Sequence, residues 1–346
     1  MRRLLVLAVA GAAVVGTAGP AFACGGLIGR NGTVSLARTT TLAGYHDGVE
    51  HYLTSFSFAG AGGAFGSIVP LPGVPAKVER GGDWTLQRLV RETAPVPVFA
   101  AASSAGGDKA ATLSAQVLLQ TRVDALDLTV LKGGARAVGQ WAKDNGFLLS
   151  PDTPEVLDFY ARRSPIFLAA RFDADAARKR GLALGEGTPI HLTIPTPNPW
   201  VPLRILSLGK NGSEPIQADV YLLTDQKPAL LPSPSNGIEL ARNEPASDRL
   251  LSDLRNDKGM GWVPASMWLS YLRLDVPARD LRFDLAVDAQ GTGRPSPAAA
   301  GLPFLHLPRP AGHGSAGTIV LAGIGIAALA GLAAGGFAVR RRAWPA

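Results

Sequence analysis

The chain has one cysteine and five histidines, so few of its residues can do acid–base or nucleophilic chemistry. Cys24 lies in the stretch GPAFACGG, residues 19–26, directly after Ala21-Phe22-Ala23. That small-x-small pattern is what a signal peptidase reads. Cleavage there would leave Cys24 with a free α-amine that can act as its own base, the arrangement of an N-terminal-nucleophile hydrolase. Cys24 could also carry a lipid, join an intermolecular disulfide, or pack as a small apolar side chain. A lipidation signal wants a branched residue where Ala21 stands, and Phe22 is bulky beside it. A nucleophile needs an oxyanion hole, and no such signature is visible. The expectation is a structural thiol, with Gly25 and Gly26 letting the backbone turn inward.

The second candidate is the run Tyr45-His46-Asp47-Gly48-Val49-Glu50-His51. Asp47-Gly48 is a two-residue hairpin turn, because both positions favour positive φ. His46 then pairs with Val49 and Tyr45 with Glu50. This puts His46 and His51 on one face, diagonal to each other and roughly 7–8 Å apart. Two imidazoles suit a zinc ion, but a site needs three or four ligands. Asp47 is taken by the turn and Glu50 points to the other face, so a solvated hairpin end without metal is expected.

His191 sits inside an apolar strand and reads as a hydrogen-bonded core histidine. Trp84 and Trp141 fall on apolar helix faces and read as core. Trp200 and Trp262 stand beside prolines and glycines in loops, where an aromatic surface could bind a sugar or a peptide. Nucleotide loops, dinucleotide fingerprints and metalloprotease motifs are absent, so no cofactor is expected.

The elements that must position these residues alternate between strand and helix. Strands are predicted over 33–58 (as a hairpin), 67–72, 117–130, 166–172, 190–195, 203–208, 220–224, 267–274 and 281–287. Helices are predicted over 83–93, 134–145, 154–163 and 247–255, the first capped by Asp83. The fold class expected is α+β, mainly antiparallel sheet with packed helices, plus one C-terminal transmembrane helix. Residues 24–290 form the folded domain, with a possible division near 183–188.

Both ends read as targeting devices. Residues 1–23 have Arg2, Arg3 and an apolar run, as a signal peptide does. Residues 317–339 carry no charge and no proline, and at 1.5 Å per residue span roughly 35 Å, enough for one membrane crossing. Arg340, Arg341 and Arg342 follow, which keeps residues 340–346 cytoplasmic and the domain outside. Residues 291–316, rich in proline, glycine and alanine, read as a stalk. The formal charge is +7, and five of those charges are Arg2, Arg3 and Arg340 to Arg342. The remaining +2 leaves no basic stripe for nucleic acid.

Four stretches carry a resemblance: CGG from Cys24; FGSIVPLPGVPAKVE from Phe65 with WTLQRLVRETAP; AVGQWAKDNGFLLSPDTPEVLDFYARRSPIFLAARFD from Ala137; and PIHLTIPTPNPWVPLRILSLG from Pro189 with ADVYLLTDQKP. Together they resemble the uncharacterised bacterial exported family catalogued as domain of unknown function 2330. Ser67 stands where that family commonly has tryptophan. The resemblance implies export and anchoring and implies no activity. The function expected is therefore non-enzymatic binding of an envelope protein or polymer, by a domain held at the cell membrane by one helix. The alternatives are a hydrolase using Cys24 and an assembly partner that meets another membrane protein through the span.

Overall fold

The computed structural model describes residues 26–29, 38–55, 65–94, 116–173, 179 and 189–302. All of them belong to one compact unit that runs to Phe304. The architecture is mixed α+β, with mainly antiparallel sheet and few helices.

One sheet has five strands: β1 (Gly26–Gly29), β4 (Phe65–Leu71), β8 (Ile166–Phe172), β7 (Leu126–Lys132) and β6 (Gln116–Val123), in that spatial order. The other has seven, in the order β13 (Ile238–Pro245), β14 (Trp268–Pro277), β11 (Pro215–Thr224), β2 (Arg38–His46), β3 (Val49–Ser55), β9 (Pro189–Pro195) and β5 (Lys77–Arg80). Among these strands only β2 and β11 run parallel. A small third sheet joins β10 (Trp200–Val201), β15 (Leu285–Asp288) and β12 (Ala229–Leu231).

Strand alternation explains how the two large sheets pack. On β8, Ile166, Leu168 and Ala170 face the same core as Ile190, Leu192 and Ile194 of β9 and Val220 and Leu222 of β11. The intervening Phe167 and Ala169 face outward, toward α2 (Ala135–Asp144) and α3 (Thr153–Ala161), where Val138, Trp141, Leu157 and Tyr160 cover them. On the far side of the seven-stranded sheet, Leu42, Leu53, Tyr221 and Leu223 meet α1 (Thr85–Thr93) and α4 (Asp248–Arg255) through Leu86, Leu89, Leu250 and Leu254. The result is a sheet-on-sheet sandwich with helices on both outer faces.

The hairpin register is the expected one, Tyr45 opposite Glu50 and His46 opposite Val49, and Asp47 and Gly48 both take positive φ (50° and 78°). Ser247 caps α4 by accepting the Leu250 amide at 3.2 Å. Several expectations are corrected. Residues 117–130 are two strands, because Asp124 (φ 51°) turns the chain back. Residues 204–207 form a 3₁₀ turn, since Asp284 accepts the Leu203 and Arg204 amides that a strand would give to a neighbour. Strands from both sides of 183–188 share the seven-stranded sheet, so no domain division falls there. A helical turn, α5 (Pro297–Ala300), buries Ala299 and Ala300 against the outer core, so the folded domain reaches past 290 into the expected stalk. Among the described residues no helix is long and apolar enough to cross a membrane. The segments expected as signal, Cys24, later stalk, span and tail lie outside them.

Candidate functional site

Three antiparallel registers bring the unusual side chains together on the outer face of the seven-stranded sheet. His51 on β3 lies opposite Gly44 of β2 and Thr193 of β9, which places it diagonal to His191. Glu79 on β5 lies opposite His191. His51 Nδ1 and His191 Nε2 are 3.0 Å apart, within hydrogen-bond range, and Glu79 Oε1 lies 3.7 Å from His191 Nδ1.

Residues 256–263 close over this row. Asp257 fixes the start of the segment at the N-terminus of α1, accepting the Asp83 and Trp84 amides at 3.0 Å each and the Thr85 hydroxyl at 2.7 Å. Asp83 does not cap α1 as expected: Trp84 holds the capping position without a side-chain cap, and Asp257 binds the Asp83 and Trp84 amides just ahead of the first turn. Gly259 (φ 76°) bends the segment toward His191, and Trp262 stacks on His51 with ring centroids 4.0 Å apart and planes 2° from parallel. The indole needs the space above Gly44, where a Cβ would fall 2.1 Å from a ring carbon.

Burial pushes His51 down to about 3, helped by the neighbouring His191 and His46. Burial likewise pushes His191 down to about 4; Glu79 opposes that shift and Lys77 adds to it. Both imidazoles are thus neutral near pH 7, and one proton lies between them. Glu79 favours a proton on His191 Nδ1, so Nε2 accepts from His51 Nδ1 and His51 Nε2 holds a lone pair. Neither His191 Nδ1 nor Trp262 Nε1 has a hydrogen-bond partner among the described residues.

The other predicted residues are placed as follows. His46 does not join His51: its Nδ1 meets Asp225 at 2.8 Å, and its Nε2 meets Asp47 at 3.4 Å. Asp47 therefore turns back on His46 as well as forming the turn. These three side chains offer ligand atoms within 4.8 Å of one another and could hold a cation at the exposed hairpin tip. Glu50 points to the face opposite His51 as expected, but that face is the inter-sheet core, so Glu50 is fully buried and this part of the hairpin is not solvated. Burial raises Glu50 to about 8, and the Trp200 amide, too poorly placed to make a regular hydrogen bond, opposes the shift only weakly.

Trp200 is 3% exposed, stacked on Tyr160 (5.8 Å) beneath the Arg163 guanidinium (4.6 Å), so its ring is not on the surface. Trp262 is half-buried as the cover just described. Trp84, expected in the core, is 38% exposed at the start of α1, and Val90 on the same helix is 37% exposed. Helical spacing puts Trp84, Gln87, Val90 and Arg91 on one solvent-facing arc, while Thr85, Leu86 and Leu89 face inward. The sequence signal was available: Trp84 precedes the first helical residue and need not follow the apolar stripe.

The match to known proteins agrees with the sequence motifs. Residues 18–230 match the family described as "Uncharacterized protein conserved in bacteria (DUF2330)", and the chain belongs to that family. No curated protein matches it. Among solved structures, baculovirus P35 is similar at 9% identity and a TM-score of 0.39, over 74% of this chain and 97% of that one. The caspase-8/P35 complex gives 10% identity and a TM-score of 0.36, over 72% of this chain and 95% of that one. Likeness at that level does not define a shared fold.

Proposed function

We propose that the chain is an exported domain, tethered to the cell membrane by residues 317–339, that binds an envelope protein or polymer and does no chemistry on it. The observation that carries this reading is the exposed arc of α1. Among the described residues, Trp84 and Val90 are two of the four large apolar side chains most open to solvent, one at the start of α1 and one on it. Aromatic side chains on a rigid helix make efficient contact anchors. By contrast, His51, His191, Glu50 and Asp284 are covered by packing.

Photocrosslinking in intact cells tests the proposal. A crosslinking residue at Trp84 or Val90 is expected to capture a discrete envelope component in the membrane fraction. The same residue at Leu148, which is 59% exposed on another part of the domain, is expected to capture none. Equal capture from all three positions, or none from any, would overturn the α1 surface. Recovery of the full chain in the soluble fraction would overturn the tether.

A further inference from the structure

We propose that Trp262 is a proton-released cover: it lies closed over the neutral His51–His191 pair and swings out when that pair takes up two protons. The geometry carries the argument. The 3.0 Å gap between His51 Nδ1 and His191 Nε2 holds one proton. A first added proton leaves the gap bond intact: His51 Nε2 gains it, the gap proton passes to His191 Nε2, and the charge rests on His191 beside Glu79. A second must go to His51 Nδ1, where it faces the His191 Nε2 proton across that same gap. Two buried imidazolium rings with centroids 5.2 Å apart then repel each other and need water.

The charged groups around the pair offset this only in part. On β5, Glu79 is the carboxylate beside His191 among the described residues, and its neighbour Lys77 pairs with it at 2.8 Å. On β2, His46 raises the positive potential at His51. On the covering segment and helices, Asp257 is committed to the Asp83 and Trp84 amides, and Arg88 pairs with Asp253 and Glu92. Arg255 donates to the Val263 and Pro264 carbonyls, and Lys258 is exposed.

The cover is one side chain held between two fixed points. Met260 and Val263 are buried anchors on either side of Trp262, and Gly261 between them has no atom near its missing Cβ. Closure leaves the Trp262 Nε1 proton and His191 Nδ1 without partners, both of which water would satisfy on opening. Rotation of one indole, with its anchors in place, uncovers the sheet face above His51 and Gly44.

The test uses the full chain in detergent, with acrylamide quenching of the tryptophan emission that is lost in Trp262→Phe. The expected result is that this component becomes accessible as pH falls from the open-state value near 6.5 toward the closed-state values of about 3 and 4, while far-ultraviolet circular dichroism is unchanged. Two-proton uptake makes the open-to-closed ratio rise by up to about 100-fold per pH unit. In His191→Gln, which can take only one proton at the pair, the rise is about tenfold per unit. His46→Gln keeps the steep dependence. A wild-type ratio that changes no more than tenfold per unit would overturn the proposal without recourse to any variant. So would accessibility that appears only with loss of secondary structure, or a His191→Gln profile equal to wild type.

Discussion

Asp284 shows what one buried side chain does in this fold. It is fully buried and accepts from the Tyr160 hydroxyl (2.9 Å), the Leu203 amide (2.8 Å), the Arg204 amide (2.9 Å) and the Arg163 guanidinium. It therefore ties α3 to the 3₁₀ turn at 204–207 and to the strand that follows it in the small sheet. Arg163 is nearly buried and lies over the rings of Phe159, Tyr160 and Trp200, so Asp284 is its counter-charge. Replacing Asp284 with Ala strands a buried cation and three donors, and urea unfolding is expected to show a loss of about 3–5 kcal/mol. Glu155→Gln breaks another arginine pair, to Arg204, but Glu155 is 75% exposed and the expected loss is below about 1 kcal/mol. Similar losses for the two would mean that Asp284 is better hydrated than its packing implies. Nothing in the sequence marks Asp284, because its arginine partner is 121 residues away.

At the scale of elements, the covering segment and β2 are matched by size. Gly44 is strand, where glycine is ordinarily unfavourable, and its lack of a Cβ is what admits the Trp262 ring. Gly44→Ala is expected to cost about 1–3 kcal/mol in thermal or chemical unfolding by forcing the indole off His51. In a Trp262→Ala background the same substitution is expected to cost little. Additive losses in that double-mutant cycle would show that the two residues do not share the space. The hairpin turn, α2, α3, α4 and most strands were legible in the sequence because their signals are local: a period, a cap, a turn pair. The site was legible only in part. His46, His51 and His191 stood out by type, but diagonal placement of His51 and His191 depends on β3 pairing with β9, a contact made across 140 residues. The Asp257 contacts just ahead of α1 and the placement of Trp262 are likewise long-range. Trp200 sits between prolines like a surface loop residue, and only the Arg163–Asp284 cluster explains its burial.

For the whole molecule, the buried groups set opposing pH dependences. Glu50 is raised from 4.5 to about 8 in the folded state. Between those values the folded chain holds a proton that the unfolded chain has lost, so its contribution is fully present below 4.5 and is lost as pH rises toward 8. His51 and His191 are lowered from 6.5 to about 3 and 4, so their contribution is present above 6.5 and is lost as pH falls toward those values. From 4.5 to 6.5 the unfolded chain gains two protons at the histidines against one kept by folded Glu50, and stability rises with pH by about 1.4 kcal/mol per unit. From 6.5 to 8 the histidines no longer act while Glu50 keeps its proton, and stability falls at about the same rate. The stability of the full chain, measured by urea midpoint across this range, is therefore expected to peak near pH 6.5. Glu50→Gln should flatten the alkaline limb and leave the acid limb in place. His51→Gln with His191→Gln should do the reverse. Release of Trp262 would shallow the acid limb at its low end, since histidines open to water titrate as they do in the unfolded chain. An alkaline limb that survives Glu50→Gln would place the responsible proton elsewhere, and a wild-type profile that climbs steadily to pH 8 would mean that Glu50 is ionised and solvated between the sheets.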